Sequence, residues 1–198
     1  AVFLPPQGLL AVAMAQPVNV EGTALYNYTE GYGSYLIPAV MVIIIFQTLL
    51  MVIGMVTGEE YMTRGILAYT PFGKSWAVAI RIVAGKTFVY CSLYAVFSFF
   101  LLGLLPHFFS IPNIGNGLYI VLMMIPYLLA TSFLGLAASR YFTDSEAPLL
   151  MIAFFSVGLI FLSGVSYPME LMPWYWKAAH YIFPAAPATP VSYTHLTL

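Results

Sequence analysis

The stretch Gly58–Lys86, GEEYMTRGILAYTPFGKSWAVAIRIVAGK, decides how this chain is read. It is the only sizeable polar break between long apolar runs. Of the chain's six basic residues it holds Arg64, Lys74, Arg81 and Lys86, and it also holds Glu59 and Glu60. The sequence on either side has the composition of membrane spans. The stretch is therefore a loop between spans, and the side it faces and the partner it meets there set the function.

Composition leaves little choice of solvent. The 198 residues are 62% hydrophobic and 7% charged, whereas a soluble domain carries about 25% charged residues. So few charges do not cover a water-facing surface, and lipid is the solvent for most of the chain. A net charge of −1 provides no basic field for nucleic acid. Cys91 is alone in an apolar run and forms no intrachain disulfide. His107, His180 and His195 lack ligand spacing. They read as interfacial or solvated side chains, not as a metal site.

Before the loop, residues 1–34 are punctuated by Pro5, Pro6, Pro17, Gly22, Gly31 and Gly33 and contain no span. The chain opens on Ala1 and reads as the interior of a longer protein. Tyr26, Tyr28, Tyr32 and Tyr35 form an aromatic belt at the membrane–water interface. Leu36–Val56 is the first expected span, long enough as a helix (~31 Å) for the hydrocarbon core. Pro38 falls in its first turn, and Gln47 and Thr48 are expected to face other helices.

After the loop, Thr87–Leu105 is the second expected span. Tyr90, Ser92, Tyr94 and Ser98 give it a polar stripe near helical spacing, either for interhelical hydrogen bonds or as one wall of a translocation path. Pro106–Asn116 is a turn. Gly117–Ala138 is the third span, with a kink expected at Pro126. In the polar turn Arg140–Glu146, Asp144 or Ser145 caps the next helix and Pro148 falls in its first turn. Ala147–Leu162 is the fourth span. Trp174–Phe183 is too short to span and reads as an interfacial or slightly re-entrant helix anchored by Trp and Tyr.

Four spans alternate sides. The Gly58–Lys86 loop and the Arg140 turn carry five basic residues, and the opposite loops carry Lys177 alone. The positive-inside rule makes the Gly58–Lys86 side cytoplasmic. Within the loop, Thr70-Pro71 is a helix-start signal, Phe72–Ala84 is a helical run, and Glu59–Leu67 is a second short helix. Gly73-Lys74-Ser75 and Gly85-Lys86-Thr87 look like ends of a phosphate-binding loop. The glycine that such a loop needs five residues earlier is replaced by Ala68 and Ile80, so no nucleotide site is expected.

At these residues the sequence resembles the membrane subunit of type-2 ATP-binding-cassette exporters. One mark is Glu59-Glu60, then Thr70-Pro71, then Gly85-Lys86. The other is Ser163-Gly164, Pro168, Glu170 and Met172-Pro173-Trp174. Met62 stands where the family often has glycine. The resemblance covers about residues 26–190. It implies an all-α, polytopic fold with four spans present of six, residues 1–34 as the tail of an extracytoplasmic domain, and residues 35–190 as the transmembrane domain. It implies a coupling surface for a nucleotide-binding ATPase subunit at Glu59, Glu60, Arg64, Thr70, Pro71 and Lys86. It implies an extracytoplasmic gate at Ser163, Gly164, Pro168, Glu170, Met172, Pro173 and Trp174. Gln47, Thr48, Tyr90, Tyr94 and Ser98 become path-lining candidates. ATP and Mg would be bound by the partner and no cofactor by this chain. A second permease subunit, a periplasmic adaptor and membrane lipid are the other expected partners, in a bacterial inner membrane. The tail Val191–Leu198 resembles one reading frame of a transposon-end sequencing adapter and is expected to be non-native.

Rival readings make different demands. An ion-coupled secondary transporter commonly carries ionisable residues inside its spans, and none of the four has one. An intramembrane enzyme needs a nucleophile with a base at membrane depth, and Ser92 and Ser98 have none nearby in sequence. A structural membrane subunit makes no such demand.

Overall fold

The computed structural model describes residues 32–63, 75–109, 117–167 and 169–197, all within one compact unit, Gly31–Leu198. The described residues are almost entirely helical. In chain order they form α1 (Tyr32–Thr63), α2 (Trp76–Ser98) continued by a π-helical stretch (Phe99–Leu104) and α3 (Leu105–Phe108), α4 (Gly117–Ala138), α5 (Ala147–Leu162), α6 (Trp174–Ile182) and α7 (Ala185–Thr197). Short 3₁₀ turns at Ser139–Tyr141 and Met169–Leu171 follow α4 and precede α6.

Among the described residues, three helical stretches are long and apolar enough to cross a membrane: Leu36–Thr63, Trp76–Phe108 and Leu118–Tyr141. The fourth, α5, has its expected bounds but only 16 residues, or ~24 Å of helix against a core of ~30 Å. Helices suit this solvent because every backbone N–H and C=O is satisfied within the segment.

The Gly58–Lys86 break is shorter than its polarity suggests. Glu59–Thr63 is not a separate helix but the end of α1, and Thr63 Oγ1 donates to Glu59 O at 2.7 Å. Arg64–Leu67 lie outside the described residues, as do Thr70 and Pro71 with the helix start expected there. Helix α2 begins well before Thr87, at Trp76, with Ser75 Oγ accepting from Ala77 N–H at 3.4 Å. Its Ala-, Ile- and Val-rich first turns hold no proline, and a lone Gly85 costs only about 1 kcal/mol in a helix. Arg81 and Lys86 are therefore helical. The far end is also longer than expected. Leu105 N–H donates to Phe100 O, five residues back, and this π register lets the helix run through Pro106 to Phe108, which had been expected as turn. Pro38 lies inside α1 rather than in its first turn, and α4 runs through Pro126 as one helix.

Helix α1 is the axis of the bundle. Ala39, Met41, Val42, Ile43, Ile45, Phe46, Leu49 and Ile53 are buried, and α2, α4, α5 and α7 all pack on it. Helix α2 shows a polar-in, apolar-out pattern. On α2, Thr87, Tyr90, Tyr94 and Ser98 are buried, while Phe88, Val96 and Phe99 are 73%, 71% and 66% exposed. In water this arrangement would be backwards. In lipid the tails solvate Phe and Val as well as a protein core does, so polar groups turn inward to find partners. Thr87 takes the place on the stripe expected of Ser92, which is exposed and donates to Val89 O at 2.9 Å.

Inward polar groups and close packing hold the bundle. Tyr127 Oη donates to Val42 O at 2.6 Å, joining α4 to α1. Cys91 Sγ and Ser132 Oγ meet at 3.5 Å between α2 and α4. Gly54 and Gly58, one turn apart on α1, form a notch that receives the turn between α4 and α5. A Cβ on Gly58 would lie 2.1 Å from Asp144 O, and one on Gly54 would lie 2.6 Å from Pro148 Cβ. Gly135 on α4 also packs closely, its Cβ position 2.8 Å from Ile53 Cδ1, the end of a side chain that can shift. Small residues that let backbones approach are the expected adhesive between helices in lipid. Asp144 fixes the turn itself: its Oδ1 accepts from Ala147 N–H at 2.7 Å and Glu146 N–H at 3.1 Å, as a cap of α5.

The sequence reading missed α7. Pro184–Pro190 carries three prolines, and no helix was expected there. Yet Ala185, Ala186, Ala188 and Thr189 are buried, and Phe183 sets its ring edge-to-face on Phe46, centroids 6.4 Å apart. The run of small residues was the available signal.

Because the Gly58 Cβ would collide with backbone rather than with a flexible side chain, Gly58→Ala is expected to destabilise by about 1–3 kcal/mol. Gly158, with nothing within 4 Å of its Cβ position, is expected to accept Ala with no loss. Thermal unfolding of the two variants in lipid nanodiscs, followed by tryptophan fluorescence, reads the difference. Equal midpoints would remove the notch from the packing.

Candidate functional site

Two ends of the bundle carry the expected functional residues. At the first, Glu59 is exposed and Glu60 partly exposed on the last turn of α1. Lys86 Nζ on α2 donates to Glu60 Oε2 in an ion pair with side chains 21% and 34% exposed, respectively. The structure thus brings together two residues that the family resemblance had assigned separately to a partner. Arg64, Thr70 and Pro71 lie outside the described residues. The Arg140 turn sits at the same end, with Arg140, Tyr141 and Glu146 exposed. Gly85-Lys86-Thr87 lies within a continuous helix. Its N–H groups are committed to helical bonds and do not form a phosphate cradle.

At the other end, α5 stops at Ser163-Gly164. Ser163 is 2% exposed and its Oγ donates to Ile160 O at 2.8 Å. Gly164 has φ +83°, a left-handed conformation natural to glycine past a helix C-terminus, and Met169 Cγ lies 3.1 Å from its Cβ position. Met172 is buried, whereas Pro173 and Trp174 are exposed. Pro168 and the Glu170 side chain are outside the described set. Pro173 O accepts from Trp176 N–H and Lys177 N–H at 3.0 and 3.1 Å and starts α6. An apolar cavity of about 410 Å³, lined by Gly158, Phe161, Tyr167, Met172, Pro173 and Trp176, lies between α5 and this segment.

Helix α6 is a short helix where one was expected from sequence, with Trp174 and Tyr181 80% and 73% exposed. His180 differs from expectation. It is neither interfacial nor solvated but 1% exposed, with Nδ1 2.8 Å from Leu162 O and its ring edge-to-face with Tyr181. The last carbonyls of α5 have no helical N–H partner, and the imidazole N–H supplies one. Among the described residues no group of three or more His, Cys, Asp or Glu could hold a metal.

The path candidates are on inward faces. Tyr90, Tyr94 and Ser98 are buried in the bundle. Gln47 and Thr48 on α1 are half-buried, and Thr48 Oγ1 donates back to Ile44 O at 2.8 Å within its own helix. The hydroxyls of Ser98 and Thr87 are buried without a hydrogen-bond partner. Sequence reasoning overlooked Thr87, although it lies one turn before Tyr90, and the Gly54/Gly58 notch, although the small-xxx-small spacing was visible.

A bundle of apolar-faced helices with an interfacial aromatic helix at one end and a charged helical extension at the other defines a multi-pass α-helical membrane protein. Residues 4–192 match the model of a family described as "ABC-2 family transporter protein". The chain belongs to that family and is a permease subunit of the ABC type. No curated protein and no solved structure matches it.

Leaving Leu162 O without its donor is expected to cost about 1–3 kcal/mol. His180→Ala should therefore speed amide hydrogen exchange across 163–182 while leaving α1 unchanged. Equal exchange in this segment would mean that His180 does not hold α6 on α5.

Proposed function

We propose that the chain is the permease subunit of an ATP-driven exporter whose ATP is hydrolysed by a separate subunit. The observation that carries this reading is the end of the bundle holding Glu59, Glu60 and Lys86. There, in a member of the ABC-2 family, α1 and α2 run on as helices past their apolar spans and frame residues 64–74. Such a frame suits docking of a nucleotide-binding subunit on the cytoplasmic side, the side to which five basic residues assign it. Closure of two ATPase subunits would push this frame as a body and tilt the spans. A second copy or a related permease completes the path.

The cargo fits the apolar, uncharged spans: a hydrophobic or amphipathic molecule, drug-like or lipid-like. Thr87 and Ser98 support a path along the inner face of α2. A buried hydroxyl without a partner costs about 1–3 kcal/mol, and such a group calls for a reason. Contact with substrate or water in an open state would supply the missing bonds. The segment Ser163–Trp174, with its left-handed Gly164 turn, would be the gate at the far side. Gating there, a periplasmic adaptor and a bacterial inner membrane follow from the family resemblance.

Two experiments test this. Affinity purification from the native membrane should bring down a P-loop ATPase. Glu59→Lys should reduce that recovery without removing the permease from the membrane, and unchanged recovery together with unchanged substrate-stimulated ATPase would overturn the docking role. Ser98→Ala is expected to raise thermal stability slightly while lowering transport of an amphipathic dye. Unaltered transport would take Ser98 off the path.

A further inference from the structure

Glu60 sits on the last turn of α1, where its charge opposes the helix dipole. An acidic group there is unfavourable by about 0.3–1 kcal/mol at an exposed position. Local helix chemistry therefore does not account for it. Its partner does: Lys86 Nζ, 26 residues on, on the neighbouring helix. The pair is recessed from the tip. Lys86 lies ten residues inside α2 from Trp76, ~15 Å along the helix, while exposed Glu59 is next to Glu60 on the outside.

The other side of α1 is also held. Glu60 is two residues past Gly58, about 200° around the helix. Gly58 is seated on the backbone of Asp144, and Gly54 on Pro148 and Phe142. The end of α1 is thus gripped by the α4–α5 turn on one face and by Lys86 on nearly the opposite face. Closing the chain between 60 and 86 reduces the freedom of everything between them.

We propose that Glu60 and Lys86 are positioning residues that act on each other rather than on a partner. Their ion pair clasps the extensions of α1 and α2 into one rigid arm, so that residues 64–74 are presented on a fixed frame. The coupling consequence rests on the exporter reading; the clasp itself does not.

The test uses the full chain in nanodiscs, with Cys91→Ser and nitroxide labels on Thr63→Cys and Trp76→Cys. Glu60→Gln and Lys86→Met should each broaden the label-to-label distance distribution, and the swap Glu60→Lys with Lys86→Glu should narrow it again. No broadening in the single variants overturns the clasp, and broadening that the swap fails to reverse overturns its ionic nature. In the assembled transporter, the single variants should retain the ATPase subunit but lose substrate-stimulated ATPase by about fivefold or more, with recovery in the swap. Stimulation unchanged in the single variants overturns the coupling role. If no ATPase subunit accompanies the unaltered chain, the exporter reading fails, and the distance measurement still decides the clasp.

Discussion

The bundle depends on how closely other elements approach α1. In lipid, burying Ile or Phe gains no transfer from water, so cohesion comes from contact density and from hydrogen bonds between polar groups. Gly54 and Gly58 leave no room for a Cβ against the rigid atoms they meet, and Gly135 packs closely on Ile53; this brings α4, α5 and their connecting turn into contact with α1. The small face of α7 does the same from another side. Phe46, Ile45 and Leu49 then fill the space that the glycines set.

This arrangement ties the two functional ends together. The α4–α5 turn seated at Gly58 is continuous with α5, whose far end carries Ser163, Gly164 and, through His180, helix α6. The extension of α1 beyond Gly58 carries Glu59 and Glu60. In the coupling proposed for the exporter, a displacement of that extension would reach the α5–α6 corner through one packed turn and one helix, without a long side-chain relay. Packed interfaces of this kind shift between discrete arrangements rather than flexing.

The interior of α2 has a different character. Tyr90, Tyr94 and Ser98 turn inward with Thr87. Inward hydroxyls on other helices differ: Thr131 Oγ1 is satisfied by Tyr127 O at 2.8 Å and Thr189 Oγ1 by Ala185 O at 2.7 Å, while Thr57 Oγ1 on α1, like Thr87 and Ser98, is buried without a partner. Two of these three unsatisfied hydroxyls, Thr87 and Ser98, share the inner face of α2.

The sequence by itself determined the solvent, the helices and their alternation, because these depend on local quantities: the length of an apolar run, the charges between runs, and a cap such as Asp144. The bounds of α4 and α5, and α6 as a short separate helix, were legible for that reason. Helix ends at the charged break were not. Polarity marks where water can begin, but Glu59–Thr63 and Trp76–Lys86 stay helical because nothing in them breaks a helix. Helix α7 was hidden because its stability comes from contact with α1 rather than from its own hydropathy. The burial of His180, the seating of Gly58 on Asp144 and the pairing of Glu60 with Lys86 were decided only by tertiary structure. Each joins residues far apart in the chain, and no local pattern encodes which distant carbonyl, backbone or charge a side chain will meet.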